Sequence, residues 1–351
     1  MVAQRSASNR IGKAIIVGLT GLLPLMVPGN TSHAADGTWS TDAGGNWSDS
    51  LLWTGGVVAD GADSTAFFTA NITAARTVTL DSARTIGNIT FTDSTTSSND
   101  LTIAGAEVLT LDVASGVPTV NVTQSGRVLF LSTPLAGTKG LLKTGAGTLD
   151  LRGNNTFSGN ITLNAGTIQV SDASNANALG DAGNVVTFTG NATLHNSNNT
   201  FTMAQGIAIN SGVVGTLGGA FGETTNVDGA VTGSGSLIIG AASQGFVVNL
   251  RNTGNTLTGA ITINNSGNSA TLSVSSLADS AQPITIGNAG ATGTFDWSNN
   301  ATSALTLASR QIRLGGTTGG AVIQNSNTNT ARTITINNDL AIVGVGNKTL
   351  T

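Results

Sequence analysis

The sequence predicts an all-β fold. Three observations carry that reading: apolar residues alternate with Thr, Ser and Asn over short stretches, Gly and Asn punctuate those stretches, and one of the segments returns further along the chain. Composition agrees. With 47 Gly, 9% charged residues and 39% apolar residues in 351, the chain is too apolar and too weakly charged for ordinary disorder, and it lacks the Gly-X-Y period of collagen. Lys, Arg, Glu and Leu heptads are too sparse for coiled coil or long helices.

The first 35 residues read as a secretory signal peptide. Arg5, Arg10 and Lys13 form a basic start, an apolar run follows from Ala14 to Val27, and Ser32-His33-Ala34-Ala35 supplies the small residues of a cleavage site after Ala34 or Ala35. That run, interrupted by Pro24, is shorter than the ~20 residues a membrane-spanning helix needs. Removal of the segment takes away three cations and no acid, so the net charge falls from -4 to -7. The remaining cations are scattered singly, which excludes the basic stripe of a nucleic-acid binder. Absence of Cys removes disulfides, thiolate metal sites and Cys nucleophiles, and suits export through an oxidising space.

Beyond the signal, the strand candidates follow in order: Arg76-Thr77-Val78-Thr79-Leu80, Ile86-Gly87-Asn88-Ile89-Thr90-Phe91, Thr148-Leu149-Asp150-Leu151, Ile161-Thr162-Leu163, Ala260-Ile261-Thr262-Ile263 and Thr333-Ile334-Thr335-Ile336. Each has one apolar face, and β-branched residues dominate it. No helix is expected after the signal. Short strands at this spacing build a sandwich, a barrel or a solenoid, and repeats decide among them. Gly145-Ala146-Gly147-Thr148-Leu149 returns as Gly233-Ser234-Gly235-Ser236-Leu237, and Thr156-Phe157-Ser158-Gly159 returns as Thr256-Leu257-Thr258-Gly259. A third copy begins near Gly344, so degenerate long units start near residues 141, 233 and 344.

The segment 141–170 resembles the autotransporter-associated β-strand repeat, whose pattern Leu-x-Lys-x-Gly-x-Gly-x-Leu-x-Leu, Asn-x-[Phe/Tyr]-x-Gly and Gly-Thr-Leu is matched by Lys143, Gly145, Gly147, Leu149, Leu151, Asn155, Phe157, Gly159, Gly166 and Thr167. The stretch carrying Trp39, Trp47, Trp53, Asp63 and Phe67 is similar to segments that precede such repeats in large secreted bacterial proteins. The resemblance implies a right-handed parallel β-helix passenger moved to or beyond the cell surface of a Gram-negative-type bacterium. Residues 36–351 would then form a single solenoid of roughly a dozen rungs, inward Leu149, Leu151, Ile161, Leu163 and Ile168 stacking and outward Thr148, Asp150 and Thr162 facing solvent.

Candidate sites are few. Trp39, Trp47 and Trp53 suit an N-terminal cap over about residues 36–70, covering the open end of the first rung, or alternatively a carbohydrate-stacking platform. Asp60-Gly61-Ala62-Asp63, with Asp36, Asp42 and Asp49, fits no Ca²⁺ loop spacing and reads as turn chemistry, so no metal or cofactor is expected. Asp150 with Arg152, and Arg310 beside Gln311-Ile312-Arg313, read as solvated charges, and His195 as a rung-corner residue. Gly233-Ser234-Gly235-Ser236 lacks the Asp of serine-protease autotransporters. The chain is therefore expected to have no catalytic residue and to serve as a structural or adhesive surface segment. Its expected partners are a surface or matrix ligand, carbohydrate among the options, and the export and outer-membrane translocation machinery. Two alternatives stand beside this: a polysaccharide-degrading or carbohydrate-binding β-helix, and the N-terminal part of a larger autotransporter whose function lies beyond residue 351.

Overall fold

In a computed structural model the chain is described over residues 34–93, 99–172, 177–220, 222–240, 246–263, 269–287, 292–298, 301–315, 320–343 and 349–351. Most of the segment expected to be a signal peptide, up to residue 33, and the start of the expected third repeat, 344–348, lie outside these residues. The described chain winds as a parallel β-solenoid. Its strands form sheets of 13, 11, 7 and 2 members, every strand pair is parallel, and neighbours in a sheet belong to successive rungs. Thirteen strands in the longest sheet agree with the dozen or so rungs expected. The six strand candidates fall on Arg76–Thr79, Arg84–Phe91, Thr148–Leu151, Ile161–Leu163, Ile261–Ile263 and Ile334–Ile336. Two 3-10 turns, Ser50–Leu52 and Thr54–Gly56, are the helical elements among the described residues.

Alternation puts every second side chain inside, and parallel pairing in register stacks those side chains into columns. One column in the 13-stranded sheet runs Leu101, Leu129, Leu149, Ile168, Leu194, Leu217, Ile239, Ile263, Ile286, Leu314, Ile342. From Leu101 to Leu314 every member is buried. Leu151 and Val170 stand in the adjacent column of that sheet, and Ile161 and Leu163 line the 11-stranded sheet. All five expected inward residues are buried.

The repeat is longer in its second copy than the first suggests. Three residues separate Leu151 from Asn155, whereas fifteen separate the matching Ile239 from Asn255. That extra length holds the strand Val247–Leu250, which joins the 7-stranded sheet opened by Thr200–Met203. The solenoid thus acquires another wall from residue 200 onward.

Each fully buried aliphatic side chain contributes about 1.5–3 kcal/mol relative to exposure. Leu149→Ala should therefore cost about 2–5 kcal/mol, because rungs on both sides prevent the gap from closing. Thr148→Ala, one residue away on the half-exposed face, should cost within about 0.5 kcal/mol. Chemical denaturation of the two variants checks the contrast, and equal losses would mean that the faces are assigned wrongly.

Candidate functional site

The repeat segment is a set of devices that tie one rung to the next. Lys143 occupies an inward position of the strand Leu141–Thr144, in register with Val120 and Leu163, where neighbouring rungs place apolar residues. Its side chain is buried, and Nζ donates to the carbonyls of Thr144 at 2.7 Å, Gly145 at 2.9 Å and Ala165 at 3.2 Å. An ammonium has three donors, and all three are used. Burial still pushes the Lys143 amine down to about 7. The turn that receives it demands glycine twice. Gly145 lies at φ +75° with Val122 O 2.2 Å from where a Cβ would sit, and Gly166 at φ +69° leaves 2.9 Å between that position and Lys143 Nζ.

Asn155 is the second device. Its Oδ1 accepts from Leu135 N–H in the rung before, and its Nδ2 donates to Ala178 O in the rung after, at 2.9 and 2.7 Å. Asn255 repeats the arrangement, accepting from Val231 N–H at 2.9 Å and donating to Asn252 O at 2.7 Å and Ser276 O at 3.3 Å. Phe157 and its counterpart Leu257 are buried beside these asparagines. Leu149 and Leu151 belong to the inward columns, Gly147 and Gly159 pack against backbone of preceding rungs, and Thr167 faces outward.

On the outer face of the 13-stranded sheet, register aligns Phe130, Asp150, Gln169 and His195. Asp150 is 0% exposed, which corrects its reading as a solvated outward charge. Its carboxylate accepts from Arg152 at 3.0 Å, Gln169 at 3.0 Å and Ser171 at 2.7 Å, while the Arg152 guanidinium lies over the Phe130 ring at 3.9 Å. The carboxylate is thus a tether between rungs rather than an open base. His195 stands within the strand Ala192–Asn196 and not at a corner. Burial lowers its pKa, with the Asp150 charge opposing, and Ser197 Oγ lies 3.1 Å from Nδ1. Beside this column Thr148, Thr167, Thr193 and Thr216 are in register, and the last three help line an open cleft of about 470 Å3 with Asn191 and Val214.

Arg310 also departs from its reading as a solvated charge. It is buried, and its guanidinium donates to the carbonyls of Leu257 (2.6 Å), Ala278 (2.7 Å), Gly259 (2.9 Å) and Gln282 (3.0 Å), clipping three rungs together. Burial pushes it down to about 10, against the attraction of Asp279. Nothing in the local sequence distinguishes it, because all four acceptors are main-chain atoms about 30 to 50 residues away.

The three indoles cluster around Phe68 with centroid separations of 5.2 to 6.1 Å, and their N–H groups donate to Ala43, Ala59 and Trp47 carbonyls. Trp39, Trp47 and Trp53 are 2%, 0% and 2% exposed, so none of their faces is open to a sugar ring. The strand Gly37–Trp39 that carries the first is the terminal member of the 11-stranded sheet. The nearby acids are each engaged locally: Asp42 with Arg76 and Thr73, Asp60 with Arg84, Asp36 with Thr65 N–H, Asp63 with Ala114 N–H, and Asp49 with Leu51 N–H as a helix cap. Asp63 lies inside the strand Gly61–Phe68 at φ +65°, where the pairing shifts register, rather than in a turn. Among the described residues no three His, Asp or Glu side chains are grouped to hold a metal.

The family described as Passenger-associated-transport-repeat matches residues 141–170, the stretch that holds Lys143, Asn155 and the glycine turns. The chain is also 37% identical over 170 residues to the protein "Adhesin BmaC autotransporter" of Brucella suis biovar 1 (strain 1330). That alignment covers 48% of this chain and 4% of the relative, so the chain spans only a small fraction of that protein's length. No solved structure gives a significant match.

Lys143 sets a pH dependence. Between about pH 7 and its ordinary 10.5 the unfolded chain binds a proton at this amine that the folded chain does not, so stability rises with pH through that window. Urea midpoints for the wild type should climb between pH 7 and 9.5 relative to Lys143→Met, which lacks the titrating amine. Parallel curves for the two proteins would refute the assignment.

Proposed function

We propose that this autotransporter passenger-like repeat chain is displayed at or beyond the surface of a Gram-negative cell, where it acts as an adhesive, non-catalytic solenoid segment. The carrying observation is that the passenger-transport repeat coincides with the rung-tying residues of a parallel solenoid, in a chain 37% identical over 170 residues to an adhesin autotransporter. Among the described residues no helix is long and apolar enough to cross a membrane, which says nothing of a β-barrel. Export would begin with the basic, then apolar first 35 residues. The Trp cluster we read as the cap of the first rung, since it packs large side chains where the strand stack begins.

A non-enzymatic role is supported by how the polar groups are used. Asp150, Arg310 and Lys143 are buried in rung-to-rung hydrogen bonds, so their chemistry is spent on holding the fold. For the ligand, the open cleft beside the Thr167, Thr193 and Thr216 hydroxyls supports polar contacts, as to a surface glycan or matrix component.

Expression in a Gram-negative host tests the proposal. Mass spectrometry of exported material should give an N-terminus at Ala35 or Asp36, and cells displaying the chain should adhere several-fold better to a host-cell or matrix-coated surface than cells without it. Intracellular retention with Met1 intact, or display without any gain in adhesion, would count against it.

A further inference from the structure

One outward file of the 13-stranded sheet is left with its hydroxyls uncommitted. Register sets Thr148, Thr167, Thr193 and Thr216 side by side on four successive rungs, all half-buried, and Ile238 interrupts the run before Thr262 and Thr285 resume it. Rungs of a parallel sheet lie about 4.8 Å apart, so four such hydroxyls span roughly 14 Å. Among the described residues no side chain or carbonyl engages the hydroxyls of Thr167, Thr193 or Thr216. A polar file on the 7-stranded sheet is instead bonded to itself, Asn226 donating to Thr202 at 3.0 Å and Asn249 to Asn226 at 2.8 Å. The three free threonines line the open cleft of about 470 Å3, and none of the residues lining it is charged. Asn191, which also lines it, accepts from Val214 N–H at 2.8 Å through Oδ1, leaving its amide N–H groups to spare.

We infer that this cleft binds an unbranched, uncharged glycan laid along the solenoid axis, one sugar ring to each rung. The inference rests on the adhesive reading above and names the class of ligand. Charge disfavours an acidic glycan, since no cation lines the cleft and the chain carries 18 acids against 14 Lys and Arg. A peptide strand has no edge to join here, because Gly166–Val170 and Ala192–Asn196 each pair with a rung on both sides. A hydroxyl both donates and accepts, so a file of them meets the hydroxyls of a sugar chain in either direction. The repeat also fits, because a β-1,4-linked pyranose chain advances by about one rung spacing per ring. Threonine methyls and Val214 offer apolar contact to the ring faces. With no aromatic platform in the lining, each ring binds weakly, and affinity is built by adding rings over successive rungs.

Isothermal titration calorimetry of the purified chain with β-1,4-linked glucose oligomers tests the inference. Affinity should rise about tenfold or more from the disaccharide to the tetrasaccharide and level off beyond it, and a galacturonate oligomer of equal length should bind more weakly. Thr193→Val keeps the side-chain shape and removes the hydroxyl, so it should weaken the tetrasaccharide about three- to tenfold, as the loss of one hydrogen bond does, with circular dichroism unchanged. Thr162→Val, the same change on the outer face of the 11-stranded sheet, should leave binding intact. No binding of the tetrasaccharide at millimolar concentration, equal affinity for the two lengths, preference for galacturonate, or equal weakening by both substitutions would overturn it. Cells that adhere through a chain indifferent to these oligomers would overturn the inference and leave the adhesive reading standing. Oligomer binding by a chain that gives cells no adhesion would uphold the inference and count against the adhesive reading.

Discussion

Register between successive rungs is the constraint on which the rest of the molecule depends. A parallel strand stack places like position on like position, so an inward residue is covered by the residues one rung before and one rung after it. The column from Leu101 to Leu314 shows that dependence, since every member has a neighbour in the rung before and the rung after and every member is buried. A slip of one residue would turn a whole strand inside out, exposing its aliphatic face and burying Thr, Asn and Asp. The turns must therefore have fixed lengths and fixed shapes, which is what glycines such as Gly145 and Gly166 provide at positive φ.

Register also explains why cations lie inside so weakly charged a protein. Turns between parallel strands leave carbonyls without a ladder partner, and each buried orphan costs about 1–3 kcal/mol. Lys143 gathers three such carbonyls and Arg310 gathers four. Burying an ammonium or guanidinium is costly, and here the carbonyl shells offset that cost only in part. Arg310 holds its proton at neutral pH more firmly than Lys143, which is pushed down to about 7. Asn155 and Asn255 do the same work without charge, each accepting from one rung and donating to the next.

The strands were legible because period-two alternation is a local signal: Thr148 to Leu151 and Ile161 to Leu163 declare their faces within four residues. The rung-tying motif was legible through its glycine spacing and its return at residues 233–259. What the sequence hides is any property set by residues a rung away. Asp150 looks like an outward surface acid, yet Phe130 on one side and Gln169 with Ser171 on the other bury it. Arg310 and His195 mislead for the same reason, since their neighbours arrive from 20 to 50 residues away. The wall opened at Thr200–Met203 was equally invisible, because the strand Val247–Leu250 sits inside an insertion that the matching of short repeat words steps over.

Hydrogen exchange along the main column tests most directly that burial is conferred rung by rung. Amide protection should be high and nearly level from Leu129 to Ile286 in the unaltered chain, and Leu149→Ala should lower it at the rungs on either side, around Leu129 and Ile168, while leaving Ile263 unchanged. Unaltered protection around Leu129 and Ile168 in that variant would contradict the account.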